Sequence, residues 1–176
     1  LSYLGDCLVD LGHLNRAKEL LERALVTLEK EYGKDHTITA RALSSLARAY
    51  GSLKDGKKQK ELAQSALSIF EAAMGPDHLL AASPLRELGD AHVQLGAPAE
   101  GVPLLERSLA IFERHYGPEN VEVAKTRGGL GKTHVVLGDV AAARSQLERA
   151  VEIYEAKWGA NHRDTCRCRE TLASLS

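Results

Sequence analysis

Apolar positions along the chain fall in stripes at three- and four-residue steps. In one stretch they are Ala17, Leu20, Leu21, Ala24, Leu25 and Leu28, while Glu19, Glu22, Arg23 and Lys30 fill the remaining side. That spacing puts the apolar residues on one face of an α-helix and the charges on the other. A second stripe, Ala40, Leu43, Leu46, Ala47, Tyr50 and Leu53, predicts another helix of the same kind.

The stripes themselves repeat. Gly33, Gly75, Gly117 and Gly159 recur every 42 residues. Each follows a large residue (Tyr32, Met74, Tyr116, Trp158) and precedes a polar pair (Asp35-His36, Asp77-His78, Glu119-Asn120, Asn161-His162). Leu4, Leu46, Leu88 and Leu130 keep the same period, as do Leu11, Leu53, Leu95 and Leu137. Self-similarity at a fixed period is the signature of a repeat architecture. The glycine ends one helix, and the polar pair supplies side-chain acceptors at the start of the next. Gly12, Asp55-Gly56, Gly96 and Gly138 divide each copy into two halves, so each unit reads as a helix–turn–helix hairpin. The predicted fold is all-α: a right-handed superhelical solenoid of antiparallel helix pairs, with four hairpins plus part of a fifth first helix. The repeats run approximately over 1–36, 37–78, 79–120, 121–162 and 163–176, and no strand is expected.

The small and large residues fall as in a tetratricopeptide repeat. Leu4-Gly5 and Leu8 stand in the first helix and Ala17, Leu21 and Ala24 in the second; copy four repeats this with Leu130-Gly131, Ala143, Leu147 and Ala150. Blocks such as LLERALVTLEKEYGKDH and LLERSLAIFERHYGPEN resemble the long repeats of kinesin light chains and nephrocystin-3-type proteins. The resemblance implies a non-enzymatic scaffold or adaptor whose concave groove, lined by the first helices, takes a peptide segment of a partner protein.

Several positions depart from the pattern. Gln59 stands where Ala17 and Ala143 stand, which predicts looser packing in copy two. His92 and His134 replace the aromatic at Tyr50 and are expected to be hydrogen-bonded core residues. Pro84 and Pro103 are expected to kink or shorten the helices of the third hairpin. Leu1 aligns with Leu43 and Ser176 with Tyr50, and neither end carries a polar capping repeat. A fragment of a longer protein is the expected reading.

Charge and candidate chemistry narrow the function further. A formal net charge of −1 disfavours nucleic acid, and no apolar run approaches the length of a membrane span. The cysteines, Cys7, Cys166 and Cys168, are odd in number and lack framework spacing, which points to a reducing, cytoplasmic setting. Cys166 and Cys168 with His162 lack a fourth ligand, so no metal is expected. Residues 126–133, Thr-Arg-Gly-Gly-Leu-Gly-Lys-Thr, resemble the GGLGKT stretch of plant-resistance-type ATPases. The motif's first glycine is replaced by Thr126, and Leu130, Gly131 and Leu137 are in register with Leu4, Gly5 and Leu11, which commits the segment to a helix. No nucleotide or other cofactor is expected, and no catalytic set is suggested.

Aligning the repeats with the family places Arg41, Ser44, Arg48 and Ser52 on the groove in copy two, and Ser83, Arg86, Asp90, Val93 and Gln94 in copy three. Copy four contributes Lys125, Gly128, Lys132, Val135 and Val136; the residual helix adds Arg167 and Glu170, and copy one offers Asp6 and Asp10. The groove thus goes from acidic at one end to basic and partly apolar at the other. This suits an acidic peptide with a hydrophobic anchor. Reversing Arg48, Arg86 or Lys132 is expected to weaken such binding and leave stability nearly untouched. The paired asparagines of kinesin light chains are replaced by Ser44-Ser45, Arg86-Glu87 and Gly128-Gly129, so kinesin-type cargo recognition is not implied. A second reading is a structural array that self-associates through its uncapped ends. A third is the sensor arm of a larger multidomain signalling protein.

Overall fold

The computed structural model describes residues 2–175, with the side chains of all of these except Ser2, Tyr3 and Asp10. Among the described residues there are nine helices and no strand. They are α1 (Ser2–Asp10), α2 (Leu14–Tyr32), α3 (Thr37–Ser52), α4 (Gly56–Met74), α5 (Leu79–Gln94), α6 (Pro98–Tyr116), α7 (Val121–Leu137), α8 (Val140–Trp158) and α9 (Arg163–Ala173). Odd-numbered helices are the first members of each pair and even-numbered ones the second. Each pairs with its successor, and the first helices also touch along the stack, α1 on α3, α3 on α5 and α5 on α7. The chain is an all-α solenoid. The alignments of Leu1 and Ser176 lie outside the described residues.

The corner between units follows from the Gly-x-x-His pattern. Gly33, Gly75, Gly117 and Gly159 hold φ between 80° and 90°, which a side chain resists. Three residues on, the side chain of His36, His78, Asn120 or His162 accepts from a backbone N–H of the new helix. Thr39 and Thr165 add a second clasp, their hydroxyls donating to the carbonyls of Gly33 and Gly159. The corner histidines are therefore helix caps.

Within the hairpins the turn is left-handed at Gly12, Gly96 and Gly138, with φ of 81°, 81° and 79°. In copy two the equivalent place belongs to Lys54, at φ 66°, and not to Asp55-Gly56. Asp55 instead caps α4 by accepting from Lys58 N–H, and Gly56 is the buried first residue of that helix. A left-handed residue with a Cβ costs roughly 1–2 kcal/mol. Lys54→Gly is accordingly expected to stabilise the chain by about 1 kcal/mol, read as a rise in the urea midpoint.

Packing between the two helices of a unit rests on complementary sizes. A Cβ on Gly5, Gly89 or Gly131 would come within 2.6 Å of Leu21, Leu105 or Leu147, so the leucine fills the space the glycine leaves. In copy two the pair is Ala47 with Ala63, both fully or almost fully buried. Gln59 does not leave that copy loosely packed. It is 1 % exposed, lies against Gly51, donates to Glu87 at 3.0 Å and accepts from Gln94 at 3.0 Å.

The prolines do not shorten their helices. α6, with Pro103, spans 19 residues like α2, α4 and α8, and α5, with Pro84, spans 16 like α3. Both prolines sit within the first two turns, where the missing N–H removes only one bond. His92 behaves as expected, with Nδ1 3.0 Å from Glu100. His134 does not: its buried Nδ1 is 3.9 Å from Asp139 and makes no hydrogen bond.

Candidate functional site: the face formed by the first helices

The first helices line three cavities that open into one another. The largest, about 570 Å³, runs from the turn between α1 and α2 to α9. Six cations, Arg48, Lys54, Lys125, Lys132, Arg163 and Arg167, surround it against two carboxylates, Glu87 and Asp90. A smaller pocket of about 220 Å³ lies between α3 and α5. Its floor is apolar (Phe70, Leu79, Leu80, Phe112 and Tyr116), and its mouth holds Asp6, Arg41, Ser44 and Ser83. A third cavity of about 470 Å³ joins them, sharing Ser44 and Ser83 with the small pocket and Arg48 and Lys125 with the large one.

Most residues that the sequence places on the groove line these spaces. Arg48, Ser52, Asp90, Val93, Gln94, Lys125, Lys132 and Arg167 face the large cavity, and Arg41, Ser44 and Ser83 the small pocket. Gly128, Val135 and Val136 line none of the three. Gly128 is buried beside Cys168, Val135 packs on the core, and Val136 is 61 % exposed. Glu170 is exposed and outside the three cavities. The side chain of Asp10 lies outside the described residues.

The expected run from acidic to basic is partly internal pairing. One repeat position carries Asp6, Arg48, Asp90 and Lys132 in turn, alternating in sign. Arg48 reaches Asp6 at 2.7 Å, and Ser45 donates to the same carboxylate. Arg86 is 7 % exposed; it donates to Glu122 at 2.7 Å, has Glu87 at 4.0 Å, and lies over the Phe112 ring. Lys125 pairs with the far oxygen of Glu122 at 2.7 Å. Reversing Arg86 therefore leaves two carboxylates without their buried counter-charge. The expectation that stability would be untouched does not survive at this residue.

Burial pushes the Glu87 carboxyl up to about 7, with Asp90 adding repulsion and Arg86 and Arg48 pulling the other way. Gln59 also donates to it. The Asp90 carboxyl is raised by burial too, and the Lys132 ammonium is lowered by burial and by Arg167. Burial would raise Glu122 as well, but Arg86 and Lys125 pull it down to about 2.

These shifts have opposite consequences for stability. An unfolded glutamate titrates near about 4.3. Glu87 therefore stabilises fully below that value, and its contribution is lost as pH rises to about 7. Glu122 contributes above about 4.3 and loses its contribution as pH falls toward about 2. Melting temperatures from pH 4.5 to 7.5 should decline through this range, and Glu87→Gln should flatten the decline.

Several lining residues carry no groove signal in the sequence. Phe70, Phe112 and Tyr116 belong to second helices, Lys54 follows α3, and Arg163 opens α9. The signal that could have found Lys54 is its place in the glycine column of Gly12, Gly96 and Gly138. Residues 126–133 lie wholly within α7, where Gly131 meets Leu147. Their backbone amides are therefore engaged in helix bonds. Among the described residues no three His, Cys, Asp or Glu side chains are placed to hold a metal, and no helix is long and apolar enough to cross a membrane.

A tetratricopeptide repeat profile matches residues 1–58, 60–113 and 82–156, and a second profile of that description matches 39–80. The chain belongs to the tetratricopeptide repeat family, whose members generally mediate protein–protein interaction or scaffolding. Among solved structures it is similar to BtubC (BKLC) from P. vanneervenii, at 23 % identity and a TM-score of 0.74, over 98 % of this chain and 68 % of that one. It is likewise similar to a Podosopora anserina putative kinesin light chain with nearly identical TPR-like repeats. There the identity is 24 % and the TM-score 0.71, over 99 % of this chain and 82 % of that one, and a variant of that protein scores 0.72. These likenesses show a fold similar to that of kinesin light chain. No curated protein is similar enough to match.

Proposed function

We propose that the first-helix groove binds an extended acidic segment of a partner protein that carries one large apolar side chain, which makes this chain an adaptor. The observation that carries the reading is the pairing of two cavities in one groove. The pocket between α3 and α5 has an apolar floor sized for a single anchor, and the adjoining cavity sets six cations against two carboxylates. An apolar residue gains by leaving water, and the charges steer and orient the rest of the segment. Arg41 and Ser44 stand at the anchor pocket; Arg48, Asp90, Val93, Lys125 and Lys132 stand along the acidic stretch. Arg86 acts from within the wall, Gly128 and Val135 pack behind it, and Val136 stays exposed outside the three cavities.

Selection from a displayed random-peptide library should return segments with one aromatic or large aliphatic residue next to several acids. Lys132→Glu and Arg167→Glu should each weaken such a segment, since an exposed pair is worth about 0.2–1 kcal/mol and reversal exceeds simple loss. The effect should shrink as salt rises past about 0.15 M, where screening acts within about 8 Å. Selected peptides without acids, or affinities unmoved by both reversals at low salt, would overturn the reading.

A further inference from the structure

Successive first helices face one another through residues 35 apart, and the charges at those meetings follow a rule that fails once. Asp6 and Arg41 share the small pocket, Arg48 and Ser83 the joining cavity, and Asp90 and Lys125 the large cavity. None of these pairs sets like charges together. The fourth pair, Lys132 of α7 and Arg167 of α9, does, and both line the large cavity. Arg163, one turn before Arg167, lines it too. Compensation is thin there. Arg163 and Arg167 converge on the same Oδ1 of Asp164, each at 3.9 Å. That is longer than a charge-assisted hydrogen bond of about 2.7–2.9 Å, so the guanidinium donors are left for a ligand. Among the described residues no carboxylate comes within 4.0 Å of the ammonium of Lys132 or of Lys54, which lines the same cavity. Lys54, Lys132, Arg163 and Arg167 thus stand against Asp90 and Asp164, four cations against two carboxylates.

We infer that Lys132, Arg163 and Arg167 form a phosphoryl-binding subsite at the α9 end of the groove, which recognises a phosphorylated serine of the partner segment. The inference deepens the groove reading above and rests on it. A phosphoserine puts about −1.5 to −2 charges and three acceptor oxygens on one group, where an aspartate or glutamate brings a single charge. It therefore matches the excess of cations at one point. Guanidiniums meet phosphate oxygens with paired bonds, and an ammonium meets them as a point charge. Burial and the Arg167 charge hold the Lys132 ammonium below its ordinary range, and a dianion between the two relieves that repulsion. Nucleic acid fits less well, because among the described residues the large cavity is lined by no aromatic ring on which a base could stack.

The test remakes a peptide selected from the displayed library with serine, glutamate or phosphoserine at each acidic position in turn. Calorimetry titrates each onto the unaltered chain, Lys132→Gln and Arg167→Gln, and circular dichroism confirms folding. N-acetyl-phosphoserine amide, inorganic phosphate and ATP are titrated alongside. At one position phosphoserine should bind about tenfold tighter than glutamate, and the advantage should fall below about twofold in either variant. If phosphoserine exceeds glutamate nowhere while the glutamate peptides bind, the inference is overturned and the groove reading stands. An advantage that survives both variants also overturns it, by placing the phosphoryl group elsewhere. Inorganic phosphate or ATP binding as tightly as the phosphopeptide assigns the site to a free phosphate and overturns it as well. If no peptide binds the groove, yet N-acetyl-phosphoserine amide binds and is lost in both variants, the subsite stands and the extended-segment reading falls; binding of neither overturns both. Should Lys132→Gln fail to fold, Arg167→Gln decides alone, since that side chain is 55 % exposed.

Discussion

Arg86→Ala is expected to lower the free energy of unfolding by about 3–5 kcal/mol, the range for removing one partner from a buried ion pair. The size comes from what remains. Glu122 loses its 2.7 Å partner, and Glu87, already 5 % exposed and raised by burial, loses the nearest cation opposing that burial. Removing both partners should be far milder, because replacing a buried pair with well-packed apolar residues is often neutral. Urea denaturation of Arg86→Ala, Glu122→Leu and the combination would read the coupling directly. A loss below about 0.5 kcal/mol for Arg86→Ala, the range of an ordinary surface substitution, would show that the guanidinium is solvated after all.

Leu147→Ala should destabilise by about 2–5 kcal/mol, because the side chain is fully buried and nothing nearby fills its place. Gly131→Ala alone should cost about 1–3 kcal/mol, since the new Cβ would fall 2.5 Å from Leu147 Cγ and force that leucine to move. Combined, the two should cost less than their sum by about 1–2 kcal/mol. Copy two shows why, for Ala47 and Ala63 at the same two positions are both 0 % exposed. Strict additivity in a double-mutant cycle would mean that the two helices do not set their approach through this pair.

The repeat period, the hairpin units and the corner caps were legible because each is a local signal. A glycine and the capping side chain three residues later act within one turn of chain. Lys54 was less legible, because a lysine can be carried at φ 66° by the turn around it and leaves no mark in composition. The prolines were expected to kink or shorten their helices, yet each lies within the first two turns, where its missing N–H removes only one bond. In the groove most first-helix residues followed from aligning the repeats with the family, while Gly128, Val135 and Val136 line none of the three cavities. What register could not give was the fate of the charges. Arg86 reads as a surface cation until Glu122, 36 residues later, is brought beside it. The pocket floor was hidden for a related reason, because Phe70 and Phe112 reach the groove from second helices, whose apolar stripes read simply as core.

The most direct measurement is a crystal structure of the chain with a peptide selected from the displayed library. The peptide's large apolar side chain should lie over Phe70, between α3 and α5. Its carboxylates should lie within about 4 Å of Lys132 and Arg167, the distance of an ion pair. A peptide bound instead along the second helices α4, α6 and α8, with the first-helix cavities empty, would contradict the groove reading.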